Sequence, residues 1–303
     1  MRKFLCFATL LSVALTSFAQ SGTNSPYSQY GLGQLSEQSG GFNRGMNGLA
    51  LGFHEHNQVN HLNPASYSEI DSLTFIFDVG MSGQVTNFKE GGKKLNANNA
   101  DFEYAVAAFR AFRHLGVSFG ILPYTNVGYN YSQTVELNDG NKTVATNTYS
   151  GTGGIHLVYL GAGWQPLRGL SIGANVGYLW GGYTRTVVNS YSDSYANSLV
   201  KRYTADVRNY KLDFGLQYTA KLSKKDELTI GLSYSLGHEI GGEPLLEIVS
   251  QNTQTGVADT TSSANSGNKL QLEIPHSYGV GFMYNHNNKV KVESSSTSGS
   301  NIT

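Results

Sequence analysis

From Asp71 onward, large apolar residues recur at every second position, with small or polar residues between them. That period belongs to extended backbone, whose side chains alternate between two faces, and to no helix. In Leu73-Thr74-Phe75-Ile76-Phe77-Asp78-Val79-Gly80-Met81 the odd positions are all large and apolar. Around Phe102-Glu103-Tyr104-Ala105-Val106 they are the even ones. Leu115, Val117, Phe119 and Ile121 lead into Val127, Tyr129 and Tyr131 as a third run, and Ile155, Leu157 and Tyr159 mark a fourth. Leu170 to Trp180, Tyr210 to Tyr218, Leu228 to Leu236 and Leu270 to Tyr284 supply four more. The expected architecture is all-β and antiparallel, with about eight strands between residues 71 and 290.

Two all-β architectures compete, a secreted sandwich and a transmembrane β-barrel of the outer-membrane type. The runs reach ten residues or more, the length of a tilted strand that crosses a bilayer, whereas soluble strands are usually shorter. The connections also alternate. Tight links fall near Arg113-His114, Pro166 to Gly169, Ser223 to Asp226 and Asn285 to Asn288, and long ones at about 87–99, 138–149, 189–205 and 240–269. Short turns on one rim and long loops on the other favour the barrel. Composition agrees. Only 14% of the 303 residues are charged, with 36 Gly, 19 Tyr and 14 Phe. Tyr129, Trp164, Tyr178, Trp180, Phe282 and Tyr284 sit toward run ends, as in aromatic belts at membrane interfaces. The formal net charge of zero gives no footprint for nucleic acid.

The start of the chain reads as an export signal. Met1-Arg2-Lys3 is basic, Phe4 to Phe18 is apolar, and Ser17-Phe18-Ala19 suits a peptidase that requires small residues. Residues 1–19 are therefore expected to be cleaved, which places the mature chain in the outer membrane of a Gram-negative cell. Cys6, the only cysteine, lies inside that segment, so no disulfide or thiolate site is expected.

Residues 20–70 differ from the alternating region. Gly31, Gly33, Gly40, Gly41, Gly45, Gly48 and Gly52 punctuate them, a composition for turns and close backbone approach. So short a segment makes a marginal free domain, and it is expected to be enclosed as a plug. At its end, Pro64 in His61-Leu62-Asn63-Pro64-Ala65-Ser66-Tyr67 fixes its own φ and pushes Asn63 out of the helical region, so the chain turns or docks here.

The glycine-rich segment, then Arg44-Gly45-Met46-Asn47-Gly48-Leu49-Ala50, then Leu62-Asn63-Pro64-Ala65, then the first strand, resembles the FadL/TodX family over about residues 20–290. These are outer-membrane transporters of long-chain fatty acids and aromatic hydrocarbons. The resemblance implies that residues 20–70 form a hatch inside the barrel, with Asn63, Pro64 and Ala65 as its gating motif. Pro123 interrupts the third run, and the resemblance implies a kink there that opens the wall sideways. On that basis the chain is expected to carry hydrophobic compounds passively, with outer-membrane lipid and hydrophobic small molecules as partners and no cofactor. A structural or adhesive surface protein, or a non-functional fragment, is the alternative. The family's barrel has about fourteen strands. Eight strands make a barrel filled by its own side chains, without room for a plug. Residues 291–303 are expected to be a disordered polar tail, and the sequence to be truncated.

Enzymatic chemistry finds no foothold. His54-Glu55-His56 with His61 departs from the H-E-x-x-H pattern of metalloproteases, because Gln58 replaces the second His. Gly151-Thr152-Gly153-Gly154 precedes no helix on which a phosphate would sit. His156, His238 and His276 select no triad spacing. Neither catalysis nor a metal site is expected.

Overall fold

The computed structural model describes residues 23–90, 92–138, 142–193, 195–241, 245–265, 272–287 and 290–299. The expected signal segment with Cys6 lies outside the described residues, as does part of the 240–269 connection.

The periodic region folds as one antiparallel meander. Its strands are β2 (Phe75–Glu90), β3 (Lys93–Phe112), β4 (Leu115–Glu136), β5 (Val144–Leu167), β6 (Leu170–Tyr191), β7 (Ser198–Lys221), β8 (Asp226–Ser235), β13 (Ser277–His286) and β14 (Val290–Gly299). They lie side by side in chain order. Between β8 and β13 the chain makes an excursion through β9 (His238–Gly241), β10 (Leu245–Gln251), β11 (Ala258–Asn265) and β12 (Leu272–Ile274). In it, β10 pairs with the start of β7, and β12 pairs with β9.

Among the described residues the sheet curls as half a barrel and does not close. Among the described residues β2 pairs only with β3, and β14 only with β13. The sequence-based expectation is an incomplete barrel of about eight strands, and among the described residues the strands form an open, curled sheet. The expected disordered tail is corrected, because its Lys291 to Gly299 form most of β14, paired with β13 from His286↔Val290 to Ser277↔Gly299. A Ser/Thr run without apolar alternation still fits a strand when only its inner residues are packed.

Much of what reads as long loops is also strand. The β2–β3 ladder runs on through Glu90↔Lys93, and β6 pairs with β7 out to Asn189↔Leu199. Polar Thr, Asn and Ser in these stretches hid the ladder from a reading based on apolar period alone.

The outer face is apolar. Ile172, Val176 and Tyr178 of β6, Tyr210, Phe214, Leu216 and Tyr218 of β7, and Val280, Phe282 and Tyr284 of β13 are all exposed there. One run departs from expectation. Ile155, Leu157 and Tyr159 of β5 point inward and are buried, and Val158, Leu160 and Trp164 take the outer face. A bulge flips β4 in the same way. The β4–β5 register slips between Pro123 and Thr125, so Val117 and Phe119 face outward while Val127 and Tyr129 are buried. One extra residue reverses the facing of every later position, because the side-chain period is two. The interior therefore holds an apolar cluster that includes Leu122, Val127, Ile155, Leu157, Leu179 and Val207.

Residues 23–70 lie on the inner face. They form a 3-10 turn (Pro26–Gln29), the two-residue strand β1 (Gln34–Leu35), the short helix α1 (Gly41–Arg44) and a second 3-10 turn (Pro64–Glu69). Leu32, Val59, Tyr67 and Ile70 of this segment join the same apolar cluster.

Candidate functional site at the seat of the N-terminal segment

The second 3-10 turn starts where the sequence said the chain must turn. Asn63 is extended (φ −132°, ψ 98°), as the residue before a proline should be. Its Oδ1 accepts from the Ala65 N–H at 3.2 Å, which satisfies one of the free donors at the start of the turn. Pro64 follows at the first position of the turn, where its missing N–H costs nothing. Asn63 Nδ2 donates to the Leu51 carbonyl at 2.7 Å, tying the turn to the preceding loop. Asn63, Pro64, Ala65, Ser66 and Tyr67 are all buried.

What receives this turn is a row of glycines. Gly116, Gly163, Gly173 and Gly215 are register partners across β4, β5, β6 and β7. A Cβ at Gly116 would strike the Tyr67 carbonyl, one at Gly163 the Pro64 carbonyl, and one at Gly215 Asn63 Oδ1. A Cβ at Gly173 would lie 2.6 Å from the Ala65 nitrogen. On β8, Gly231, the register partner of Gln217, makes a second close approach, where a Cβ would meet the Leu51 carbonyl. The absent side chains let two stretches of backbone approach to contact distance.

Polar side chains flank the row and fix the segment in register. Tyr67 OH donates to Asn175 Oδ1 at 3.1 Å, and Asn175 Nδ2 donates to the His61 carbonyl at 3.0 Å. Ser68 Oγ donates to Ser171 Oγ at 2.9 Å. Gln217 Nε2 reaches the carbonyls of Leu51 (2.9 Å) and Phe53 (3.0 Å). From β14, Glu293 Oε1 accepts from the Gly52 N–H at 3.1 Å, and Lys291 pairs with Glu55. Thus the segment bridges strands from β4 to β14 and braces the curl of the sheet.

Pro123 lies at a second contact of the same segment. The β3–β4 ladder stops at Ala105↔Ile121, just before the bulge. Beyond it β1 takes over as the neighbour of β4, at Leu35↔Thr125 and Gln34↔Asn126. The Ser36 N–H donates to the Tyr124 carbonyl at 3.0 Å, and Gln38 Nε2 to the Pro123 carbonyl at 3.1 Å. On the β3 side, the Gly41 N–H donates to Tyr104 OH at 2.6 Å, and Arg44 pairs with Glu103 at 2.9 Å. A cavity of about 300 Å³ remains, lined by Thr23, Gln34, Glu37, Gln84, Glu103 and Asn126 among others. The strands do part at Pro123, but the opening is filled by the N-terminal segment, and its remaining space has a mixed lining to which Pro26, Tyr27 and Leu35 also contribute.

The histidines that the sequence groups together disperse. His56 Nδ1 lies 2.7 Å from Asp71 Oδ2 and is exposed, whereas His61 is buried with its ring 5.9 Å from that of Tyr159. Among the described residues no group of His, Cys, Asp and Glu is placed to hold a metal ion. Burial lowers the His61 pKa from its ordinary 6.5 to about 4, against the opposing pull of the Gln38 backbone and Asp213. The unfolded chain therefore takes up a proton at a higher pH than the folded one does. Stability should be full above pH 6.5 and fall as pH drops toward 4, by about 3 kcal/mol in all. Denaturant unfolding at a series of pH values checks this, and His61→Phe should flatten the acid limb.

The chain matches the BamG family model over residues 1–302. The chain belongs to the BamG family. No curated protein matches it. The match overturns the resemblance to FadL/TodX, which is a different family. It likewise overturns the expected uptake of fatty acids and the expected hydrophobic small-molecule and lipid partners. The physical reason is local. Asn63-Pro64-Ala65 is an efficient way to start a capped turn on a glycine floor, so three letters do not distinguish one family from another. Membership in the BamG family accords with an outer-membrane-associated location. In this BamG-family chain the sequence singled out Asn63, Pro64, Ala65 and Pro123, and the structure places all four against the N-terminal segment's contacts with the wall. It missed the receiving residues Gly116, Gly163, Gly173, Gly215, Asn175 and Gln217. Their signal was present as small and polar residues at the inward phase of successive strands.

Proposed function

We propose that this chain acts in outer-membrane protein assembly as a wall-forming partner of the Bam complex proteins. The observation that carries the reading is the BamG family match, which spans residues 1–302. The surface supports it. On β7, Tyr210 and Tyr218 bracket Leu212, Phe214 and Leu216, so aromatic residues flank an apolar stretch. A bilayer-spanning wall carries such a band with aromatic girdles at both interfaces. β5 and β7, of 24 residues each, extend roughly 80 Å. Tilted by ~45°, they still far exceed the ~30 Å hydrocarbon core, so their polar hairpin ends stand outside the bilayer. Residues 23–70 serve as an internal plug that holds the curl, and residues 1–19 as the cleaved export signal.

The proposed role is not enzymatic. His156 stacks on Trp180, His238 stacks on Tyr210, and His276 Nδ1 is hydrogen-bonded to Tyr234 OH, which commits the wall histidines to separate packing contacts.

The test is purification of the tagged chain from outer membranes in mild detergent. Bam complex proteins should co-purify with it, and its depletion should lower the amount of assembled outer-membrane protein. Recovery of the chain free of those proteins, with assembly unchanged on depletion, would refute the role.

A further inference from the structure

The cavity in the opening at Pro123 has a chemistry that bracing the wall does not explain. Where β3 leaves β4, β1 covers β4, and residues 23–37 face β2 and β3 across about 300 Å³ of space. Asn24, Gln34, Gln84 and Asn126 line it with side-chain amides, and Glu37 and Glu103 with carboxylates. Part of this polar set is unused by the fold. The Gln84 and Thr86 side chains make no hydrogen bond among the described residues. Asn99, the register partner of Gln84, accepts from Asn24 Nδ2 at 2.9 Å, yet its own Nδ2 is buried without a partner. A buried amide N–H without an acceptor is costly. The remaining lining is apolar, and Tyr27, 81% exposed, sets its ring at the mouth of the cavity.

That lining turns away most classes of ligand. Among the described residues no Lys, Arg or His lines the cavity. Arg44, which pairs with Glu103, is also engaged by the carbonyls of Ser39 (3.1 Å) and Glu37 (3.3 Å). A phosphate or a carboxylate would meet two like charges and no open cation. A metal ion needs several converging ligands, and among the described residues no group of His, Cys, Asp and Glu is placed to hold one. A hydrocarbon would bury the amides and carboxylates without partners. A neutral saccharide satisfies the whole set. Its hydroxyls donate to the carboxylates and accept from the amide N–H groups, and the C–H face of its ring lies on an aromatic ring. The position agrees. Gln84 and Thr86 lie on the half of β2 that runs toward Glu90 and the β2–β3 hairpin, on the rim opposite the tight turn at Arg113-His114. That is the outward rim of a wall of this kind.

We infer that this cavity between the N-terminal segment and the β2–β3 hairpin is a binding site for a neutral saccharide. Gln84, Thr86 and the Asn24–Asn99 pair bond its hydroxyls, Glu37 accepts from them, and Tyr27 carries the face of its ring. The site goes beyond the proposed association with Bam complex proteins and does not depend on it, so a failure of those proteins to co-purify bears on the functional reading alone.

The test is binding by the full chain, purified in a detergent without a sugar headgroup. The probes are neutral oligosaccharides of glucose, galactose, mannose and N-acetylglucosamine, with oligosaccharides of glucuronic acid as the anionic control. Binding is read by calorimetric titration and by saturation transfer from the protein to the sugar protons. At least one neutral probe should bind with a Kd of about 1 mM or tighter, and the anionic control should not bind. Gln84→Ala and Tyr27→Ala should each weaken that binding by roughly tenfold. Tyr27→Phe should bind as the unaltered chain does, because the ring and not the hydroxyl makes the contact. Neither side chain is hydrogen-bonded among the described residues, so both alanine variants keep the fold, which unchanged protease resistance of residues 23–70 verifies. A vesicle carrying the best probe on a lipid separates the two sources of such a sugar. Displacement by the free probe marks recognition of the saccharide itself, and binding that the free probe cannot displace would overturn the assignment. Binding of no neutral probe, preference for the anionic one, or affinity unchanged in both alanine variants would equally overturn it.

Discussion

Valine at Gly173 or Gly215 is expected to lift the N-terminal segment off the wall. At Gly215 a Cβ would strike Asn63 Oδ1 and lie 2.8 Å from Pro64 Cδ, and at Gly173 it would enter the Pro64–Ala65 peptide. The obstruction at Gly173 is backbone, which cannot swing aside as the end of a flexible side chain would. Overpacking of a tight core costs ~1–3 kcal/mol and more when backbone must move. Here two strands would have to part from a turn whose Asn63 is fully buried, its side chain bonded to Leu51, Leu232 and Ala65. The expected readout is protease cleavage between residues 23 and 70 in the folded protein, with a lowered unfolding midpoint. Gly83→Val is the control, since a Cβ there meets nothing within 4 Å. Equal behaviour of Gly83→Val and Gly215→Val would remove the glycine row from the account of how the segment is held.

The strands were legible because one side of the sheet is apolar and period two survives any loop chemistry. Leu170 to Trp180 and Tyr210 to Tyr218 read correctly for that reason. Where both faces carry large apolar residues the reading failed. Ile155, Leu157 and Tyr159 look like outer residues, yet they line the interior, because the apolar cluster of the N-terminal segment lies against them. The bulge at Pro123 is hinted at by the proline, but the change of face beyond it is not, since nothing local announces an extra residue. The turn at Asn63-Pro64-Ala65 was legible from the proline, because that chemistry lies within a few residues, though the Asn63 cap was not read. Its seat was not, because the glycines that receive it are spread over about a hundred residues and meet only through strand register. Closure fared worst. Alternation reports which face is oily and is silent about what the last strand pairs with. β14 shows this in its serines, which break the apolar pattern and nonetheless form a complete ladder with β13.

Tyr67→Ala is expected to be the costliest single truncation in the N-terminal segment. The side chain is 1% exposed and is the largest of the fully enclosed ones. It belongs to the apolar cluster, and its position beneath Gly116, Gly161 and Gly163 leaves no neighbour able to collapse into the space it vacates. Truncation of a buried aromatic residue to alanine costs ~3–5 kcal/mol, the upper values where a site cannot relax. Loss of the hydroxyl alone is smaller. Burial raises the Tyr67 pKa well above its ordinary value, so the group stays a neutral donor to Asn175 Oδ1 at all working pH values. Tyr67→Phe should therefore cost about 1 kcal/mol for one neutral hydrogen bond, plus what the unpaired Asn175 oxygen loses. The comparison separates two accounts of the seat. If packing on the glycine row holds the segment, Tyr67→Ala exposes residues 23–70 to protease and Tyr67→Phe does not. If the polar register contacts hold it, both variants and Asn175→Ala release it to the same degree. The burial of Tyr67 and the register of the glycines from β4 to β7 favour the first outcome.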